Sequence, residues 1–340
     1  MINVPSTLTP EFLIPFSVEL SNVHIQDEYQ FNFKNIGHVE PFGMLFLSAL
    51  IRQFIKNRRD KQGRDLRISA VNYTQNEYAS WMGFFKSFGL NHGNEPGEAN
   101  GSSNYIPLTR LVVNKIKSEA HENFVHHGEI IEKESSRIAT ILTRQSDCEL
   151  TETLTYAIRE IMRNVVEHGR ASHIWYAAQH WQTKNKVEIS ILDEGIGLFE
   201  SLSRNEKLII KDNQQALFLA LQPGISGVSK NKRKKSDGDW VNSGYGLFMT
   251  STLCQLGGSF YICSNGNSLQ LFNNEAKFFP CHYEGVAIRM VLDTTKISNL
   301  NSLLSEIRYK GEKIAKELKN ANTDIELTAS KMSRMLLNKT

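Results

Sequence analysis

The residues best suited to chemistry lie in the second half of the chain, and the first set occupies one face of a predicted helix. Glu160 and Asn164 are four positions apart, so both project away from the apolar stripe that contains Ile158 and Ile161. The amide oxygen of Asn164 suits Mg²⁺, which prefers oxygen ligands. The carboxylate of Glu160 can orient and deprotonate an attacking water. The same pair is also compatible with an ordinary solvated helix face.

A second candidate segment follows an alternating strand at residues 187–192. Asp193 stands at the end of this strand and is followed by Gly195 and Gly197. A carboxylate at a strand end can accept a hydrogen bond from the exocyclic amine of adenine. Glycine lets a ligand approach the backbone closely because no Cβ intervenes. A simple strand-to-loop turn favours the same residue types, so this segment alone is a weak signal.

A third segment opens a predicted helix, where Gly244 and Gly246 precede Leu247. Free N–H groups at a helix N-terminus bind phosphate. A glycine pair before a helix is common by itself. The order of the segments is more specific, because Glu-x-x-x-Asn on a helix, Asp-x-Gly-x-Gly after a strand and Gly-x-Gly before a helix are followed by a closing strand.

This series resembles the N, G1 and G2 boxes of the GHKL ATPases, the Bergerat-fold family. That family includes gyrase B subunits, the ninety-kilodalton heat-shock chaperone, MutL mismatch-repair proteins and histidine kinases. The resemblance covers residues 150–295. It implies a Bergerat-type α/β sandwich, a mixed sheet with helices on one face, that binds ATP and Mg²⁺.

The resemblance also implies a role for each matching residue. Glu160 corresponds to the catalytic general base, Asn164 to the Mg²⁺ ligand and Asp193 to the carboxylate that reads adenine. The glycine-box residues expected at the nucleotide are Gly195, Gly197, Gly244, Gly246 and Leu247.

Two further positions near these boxes could affect the nucleotide: one departs from the family pattern and the other extends the helix row. The family often has threonine near adenine on the last strand, whereas here Gly285 is followed by Val286, so some affinity for adenine is expected to be lost. His168 extends the row of Glu160 and Asn164 by another turn. It either lies near the nucleotide or, as a simpler interpretation, interacts with the carbonyl groups at the helix end.

A strongly basic run at residues 230–235 lies between the second and third boxes. Five of its six residues are Lys or Arg, which cannot pack in a core. The run is either a solvated loop or a lid that closes over the triphosphate or holds an acidic partner. Nucleic-acid binding is less favoured, because no aromatic residue interrupts the run.

The first half of the chain alternates strands and helices. Strands are predicted near residues 28–36, 66–70 and 105–113, and helices from Pro41 and over residues 78–88. This order predicts a small α/β domain. It resembles, more weakly, the STAS fold of anti-sigma factor antagonists. Glu40-Pro41-Phe42 stands where that family has its phosphorylated Asp-Ser pair, so the half is expected to be a protein-interaction module without a phosphoswitch.

Four segments are therefore expected along the chain. They are a STAS-like unit at 1–115, a helical connector at 116–149, the GHKL ATP-binding domain at 150–295 and a helical tail at 296–340. The tail is a candidate for partner contact or for homodimerisation, and the sequence leaves both open.

Composition limits the partners and the cellular compartment that the sequence predicts. The 340 residues carry a net charge of +3, too mild to indicate nucleic-acid binding by itself. The four cysteines are scattered and form no metal or redox pair, which suits a reducing cytoplasm. No apolar run approaches ~18 residues, so no membrane span is expected.

Three classes of function fit these features. The favoured one is a cytoplasmic, Mg²⁺-dependent ATPase switch that regulates a protein partner, with bacterial stress signalling or phage defence as a setting. The second is a protein kinase of the serine-directed anti-sigma type or the histidine type. The histidine type is disfavoured, because the residues after His121-Glu122 include no proline of a phosphoacceptor helix. The third is a nucleotide-binding scaffold without turnover.

Overall fold

The N-terminal half combines short parallel sheets with three α-helices. A computed structural model describes residues 1–63, 66–99, 104–227, 244–297 and 300–320. One sheet has three parallel strands in the order β1-β3-β5, and a second pairs β2 with β4 in parallel. The strands are β1 (Ile2–Asn3), β2 (Thr7–Leu8), β3 (Glu28–Asn32), β4 (His38–Val39) and β5 (Arg67–Val71). The helices are α1 (Pro10–Ser21), α2 (Pro41–Gln62) and α3 (Glu77–Trp81).

Helix α2 is the central element of this half. It begins at Pro41, whose fixed φ and missing N–H suit the first helical position. Nearly every residue of its first three turns is buried. Gly43 allows the start of α2 to lie directly against the backbone of Leu8, where a Cβ would overlap. The helix is therefore fixed between the small sheets and the rest of the molecule.

The C-terminal half is built on one five-stranded sheet in the order β6-β7-β8-β10-β9. Every neighbouring pair is antiparallel. The strands are β6 (Tyr105–Val112), β7 (His173–Trp181), β8 (Lys186–Asp193), β9 (Ser259–Phe272) and β10 (Glu275–Asp293). The helices are α4 (Val113–Glu122), α5 (His127–Thr143), α6 (Glu149–Asn164), α7 (Gly197–Ser203), α8 (Asn213–Ala220), α9 (Gly246–Cys254) and α10 (Leu300–Asn320).

Both faces of this sheet are buried. On β7, Ile174 and Tyr176 join the core formed with α5, α6 and α9. The alternate residues Trp175 and Ala177 join a second core formed with α1 and α2. Because successive side chains of a strand point to opposite faces, the N-terminal half covers the face that the helices leave free.

The mixed α/β class expected from the sequence is confirmed, but the sheet differs from the expected one in two respects. It is antiparallel throughout its described pairs rather than mixed, and it is covered on both faces rather than one. The strand predicted at 105–113 as the last element of the N-terminal unit is the edge strand β6 of this sheet, paired with β7. The chain leaves β6 directly into α4, whose first residue donates a backbone hydrogen bond to Ser172 before β7.

The aromatic helix predicted over residues 78–88 is interrupted. It divides into α3 and a short 3-10 turn, Lys86–Phe88. The break occurs at Gly83, whose φ of +82° is left-handed and cannot continue a right-handed helix. Gly89 ends the segment as predicted, with a φ of +95°. In the parts of the chain that the structure covers, no helix is both long and apolar enough to cross a membrane.

Candidate nucleotide site

A pocket lies where α6, the end of β8, α7 and the start of α9 meet, and its empty space of about 770 Å³ includes open solvent at its mouth. Six of the predicted site residues line it: Asn164, Asp193, Gly197, Gly244, Gly246 and Leu247. Glu160 and Gly195 are not among the wall residues, although both contact residues that are. Three segments that are distant in the chain thus meet at one pocket.

Helix α6 presents Asn164 at its last residue. Cys148 caps the start of the helix, where its sulfur accepts from the N–H of Thr151, and the apolar stripe of the helix is buried in the core. A π-helical turn, Val165–Gly169, continues from Asn164. Such turns often occur at functional sites, because the extra residue redirects the neighbouring side chains. The Asn164 side chain makes no hydrogen bond within the described residues, so its amide is available to a ligand.

Glu160 lies beside the start of α9, one turn before Asn164. Its Oε1 accepts hydrogen bonds from Nε of Arg159 at 3.2 Å and from Nη2 at 3.1 Å, and Nη1 of Arg163 is 3.8 Å away. Its Oε2 lies against Gly246, where an added Cβ would overlap it. The predicted base is therefore held by an ion pair at a helix N-terminus, a location that favours negative charge.

Asp193 is buried at the end of β8, with 2% of its surface exposed. Burial raises the pKa of this carboxyl to about 7, and the neighbouring charge of Glu194 adds to the rise. Hydrogen bonds from the backbone N–H groups of Gly195, at 2.8 Å, and Val286 act in the opposite direction. A ligand that donates a hydrogen bond to Asp193 would stabilise its ionised form.

The two glycines after Asp193 fit a closely packed loop. A Cβ on Gly195 would overlap the carbonyl oxygen of Gly169, and Gly197 has a φ of +73°. The N–H of Ile196 donates to the carbonyl of Gly169 at 3.0 Å. The loop is thus fixed against the end of the π-helical turn.

Asn265 on β9 is a further residue of this site for which the motifs give no signal. Its Nδ2 donates to the carbonyl of Ile196 at 3.1 Å, and its Oδ1 accepts from the N–H of Gly285 at 3.2 Å. Its side chain would also overlap a Cβ on Gly197. Asn265 therefore ties the loop after β8 to the segment of β10 that precedes Val286.

The start of α9 forms the far wall. Gly244 has a φ of +74°, and its carbonyl accepts from the N–H of Gly224 at 3.0 Å. Helix α9 begins two residues later at Gly246, and Leu247 also lines the pocket. The N–H groups of the first turn of a helix have no acceptor within it, so this wall can bind an anion.

Of the other residues singled out in the sequence, Val286 and His168 lie at the pocket, and the basic run lies outside the described residues. Val286 lines the pocket beside Ile161 and Ile191, so its wall is apolar there. His168 also lines the pocket, and its Nε2 is 3.9 Å from Oε2 of Glu167. The basic run at 230–235 and residues 321–340 of the expected tail lie outside the described residues.

These contacts define a partly apolar cleft with one buried carboxyl, one available amide and one helix N-terminus. Within the described ranges, no group of three or more His, Cys, Asp or Glu side chains is placed to hold a metal ion. The chain matches no model of a known protein family, and no curated protein is significantly similar to it.

Proposed function

We propose that this protein is a Mg²⁺-dependent, ATP-hydrolysing switch of the GHKL type that regulates a protein partner. The observation that carries the proposal is the meeting of three distant segments at one pocket. Asn164 from α6, Asp193 from the end of β8 and Gly246 from α9 all line it. Each supplies a different group that a nucleotide needs, and the order of the three along the chain matches the family boxes.

The adenine base would occupy the end of the cleft near Asp193. The apolar wall formed by Ile161, Ile191 and Val286 suits a flat heterocycle. The Asp193 carboxylate would accept a hydrogen bond from the exocyclic amine of adenine. Guanine presents a carbonyl oxygen at that position, which cannot donate, so the buried carboxylate would select against it.

The phosphates would extend toward α9. Its N-terminal N–H groups would bind them, and Glu160 lies against Gly246 at the same helix start. Asn164 would contribute an amide oxygen to Mg²⁺. Because Mg²⁺ usually takes only one or two protein ligands and completes its shell with phosphate and water, a single amide ligand is sufficient here.

Hydrolysis would use Glu160 as the general base. The water oxygen attacks the γ-phosphorus in line, the bond from that phosphorus to the bridging oxygen breaks, and the water proton passes to Glu160. Arg159 binds the Oε1 atom of Glu160, whereas Oε2 faces the start of α9. Oε2 is therefore the atom proposed to receive the proton.

The direct test follows γ-labelled ATP with Mg²⁺. Wild type should bind ATP and release labelled phosphate. Glu160→Ala should retain binding and lose release, and Asn164→Ala should lose the Mg²⁺ dependence. Glu152→Ala is the matched control, because Glu152 is exposed in the first turn of the same helix.

The other possible results of the labelled-ATP experiment point to different activities. Label retained on the protein would replace hydrolysis by phosphotransfer to a side chain. Binding without turnover in the wild type would leave a nucleotide-dependent scaffold. A wild-type protein that binds no ATP would refute the proposal.

A further inference from the structure

Helix α2 of the N-terminal half contacts the loop that carries Asp193. Nε of Arg52 donates to both carboxylate oxygens of Glu194, at 3.3 and 3.2 Å, and Nη2 lies 3.1 Å from Oε2. The guanidinium also lies 4.2 Å above the ring of Trp175. Glu194 is the residue between Asp193 and Gly195, so an ion pair from the other half of the chain acts on the second residue of the Asp-x-Gly-x-Gly segment.

The next residue of α2 binds the segment of β10 that precedes Val286, a residue of the pocket wall. Nε2 of Gln53 donates to the carbonyl of Glu284 at 2.7 Å, and its Oε1 accepts from the N–H of Glu284 at 3.0 Å. Gln53 is buried. The register of β10 against β9 shifts between Cys281 and Val286, which interrupts the ladder at Glu284. The Gln53 amide supplies the two hydrogen bonds that a neighbouring strand would otherwise provide.

These contacts surround Asp193 from two directions. Arg52 holds the residue after it, and Gln53 holds the strand segment that begins with Tyr283. The Tyr283 hydroxyl donates to the Asp193 carbonyl at 2.6 Å. Two adjacent residues of one helix therefore fix both the loop and the strand that place the buried carboxyl.

The ion pair also has an electrostatic consequence at Asp193. The charge of Glu194 raises the pKa of Asp193, and Arg52 neutralises that charge. Among the described residues, the other charged or titratable groups near this region include Arg110 on β6, His173 on β7, Tyr283 on β10 and His168 in the π-helical turn. Loss of Arg52 would leave Glu194 uncompensated beside Asp193.

We propose that Arg52 and Gln53 are positioning residues of the nucleotide site, through which the N-terminal half sets the affinity of the pocket for adenine. This inference rests on the proposed function, because it concerns the same pocket. It also implies reciprocity: a partner that displaces α2 weakens nucleotide binding, and bound nucleotide weakens that partner by the same factor.

Calorimetric titration of Mg²⁺·ADP into the full chain over a range of pH tests the inference. Arg52→Ala should bind about tenfold more weakly than wild type, and the midpoint of its pH profile should move to higher pH. Arg52→Ala with Glu194→Gln should return the midpoint toward that of wild type, because the uncompensated charge is removed. Gln53→Ala should weaken binding without moving the midpoint.

Arg59→Ala is the matched control, because Arg59 is an exposed arginine of α2 with no ion pair in the described residues. Wild-type affinity and an unmoved pH profile in a folded Arg52→Ala variant would overturn the inference and leave the proposed function intact. If Arg52→Ala does not fold, Glu194→Gln replaces it. That variant should move the profile to lower pH, and an unchanged profile would overturn the inference.

If the wild-type protein does not bind Mg²⁺·ADP, both the proposed function and the proposed effect of Arg52 and Gln53 on adenine affinity are refuted. The positioning role has a readout that needs no nucleotide. Arg52→Ala should exchange the amide protons of Gly195 and Gly197 faster than wild type, and its Asp193 carboxyl should titrate at higher pH by carbon NMR. Unchanged exchange and titration would refute the positioning role as well.

Discussion

The hydroxyl group of Tyr283 donates a 2.6 Å hydrogen bond to the backbone carbonyl of Asp193. Tyr283 is fully buried, and its ring centroid lies 5.2 Å from that of Phe46 on α2. Burial raises the pKa of this phenol well above its ordinary value, so the group remains a donor across the accessible pH range. One side chain thus connects the second core to the strand end that presents the candidate adenine-binding carboxyl.

Tyr283→Phe should therefore destabilise the protein and weaken nucleotide binding. The ring still fits, but the buried Asp193 carbonyl loses a partner, which typically costs about 1–3 kcal/mol. Urea denaturation measures the loss, and titration with Mg²⁺·ADP measures the change in affinity. Tyr309→Phe is the control, because Tyr309 is 72% exposed. Equal midpoints for both variants would contradict this account.

Asp193→Asn should change the pH dependence of stability. The native pKa of Asp193 is raised from 3.8 to about 7, so the folded protein holds this proton more tightly than the unfolded chain does. The free energy of unfolding of the wild type therefore falls as pH rises from the unfolded pKa of 3.8 through the native pKa of about 7. The total loss is on the order of 4 kcal/mol. The asparagine variant does not titrate and lacks this loss.

The measurement is the free energy of unfolding of both proteins at pH values below and above that interval. The stability of Asp193→Asn relative to wild type should rise with pH, even though its affinity for adenine nucleotides falls. A constant difference between the two proteins would show that the pKa of Asp193 is the same in the folded and the unfolded protein. Glu206→Gln is a control, because this carboxyl is exposed between α7 and α8.

Local patterns predict the parts of the site that each segment determines by itself. The spacing of Glu160 and Asn164, the strand before Asp193 and the helix start at Gly246 all follow from helix and strand periodicity. Asn265, Tyr283 and Gln53 act through hydrogen bonds to distant backbone groups. No local periodicity specifies such contacts, so the motifs give no signal for them.

The sequence of β7 also indicates that the second face of the sheet is buried, although a search for alternating apolar residues does not detect it. Ile174 and Tyr176 on β7 indicate one apolar face. The residues between and after them, Trp175, Ala177 and Ala178, are also apolar and buried. A continuous apolar run is typical of a strand covered on both sides. What it does not identify is the covering element, because the contacts of α2 with this sheet join residues far apart in the chain.

Gly246→Ala should impair nucleotide binding even though it raises the intrinsic helix propensity at this position. Alanine favours a helix over glycine by about 1 kcal/mol, but the new Cβ would overlap the Glu160 carboxylate. Either Glu160 or the start of α9 must then move. We expect weaker Mg²⁺·ADP binding and loss of hydrolysis. Gly37→Ala is the control, since its added Cβ would have only a 3.9 Å neighbour; equal activity in both would show that the contact is unimportant.

A buried charge cluster joins the two halves behind the sheet. Nη2 of Arg289 on β10 lies 2.7 Å from Glu40 at the start of α2 and 2.7 Å from Glu188 on β8. Lys186 lies 3.2 Å from Glu40. Burial would raise the pKa of Glu40, but attraction to Arg289 and Lys186 outweighs it and holds the pKa below its ordinary value.

Arg289→Met should cost about 3–5 kcal/mol at neutral pH, because it leaves two carboxylates without their buried partner. Lys277→Met removes an exposed pair with Glu275 and should change the free energy of unfolding far less, because water screens that pair. In wild type, the contribution of Glu40 is present above its ordinary pKa and is lost as pH falls through the lowered native value. In Arg289→Met, burial acts on Glu40 without the attraction of Arg289 and favours its protonation, so the deficit should narrow in acid. A deficit in the free energy of unfolding that is independent of pH would assign the loss to packing of the arginine side chain rather than to its charge.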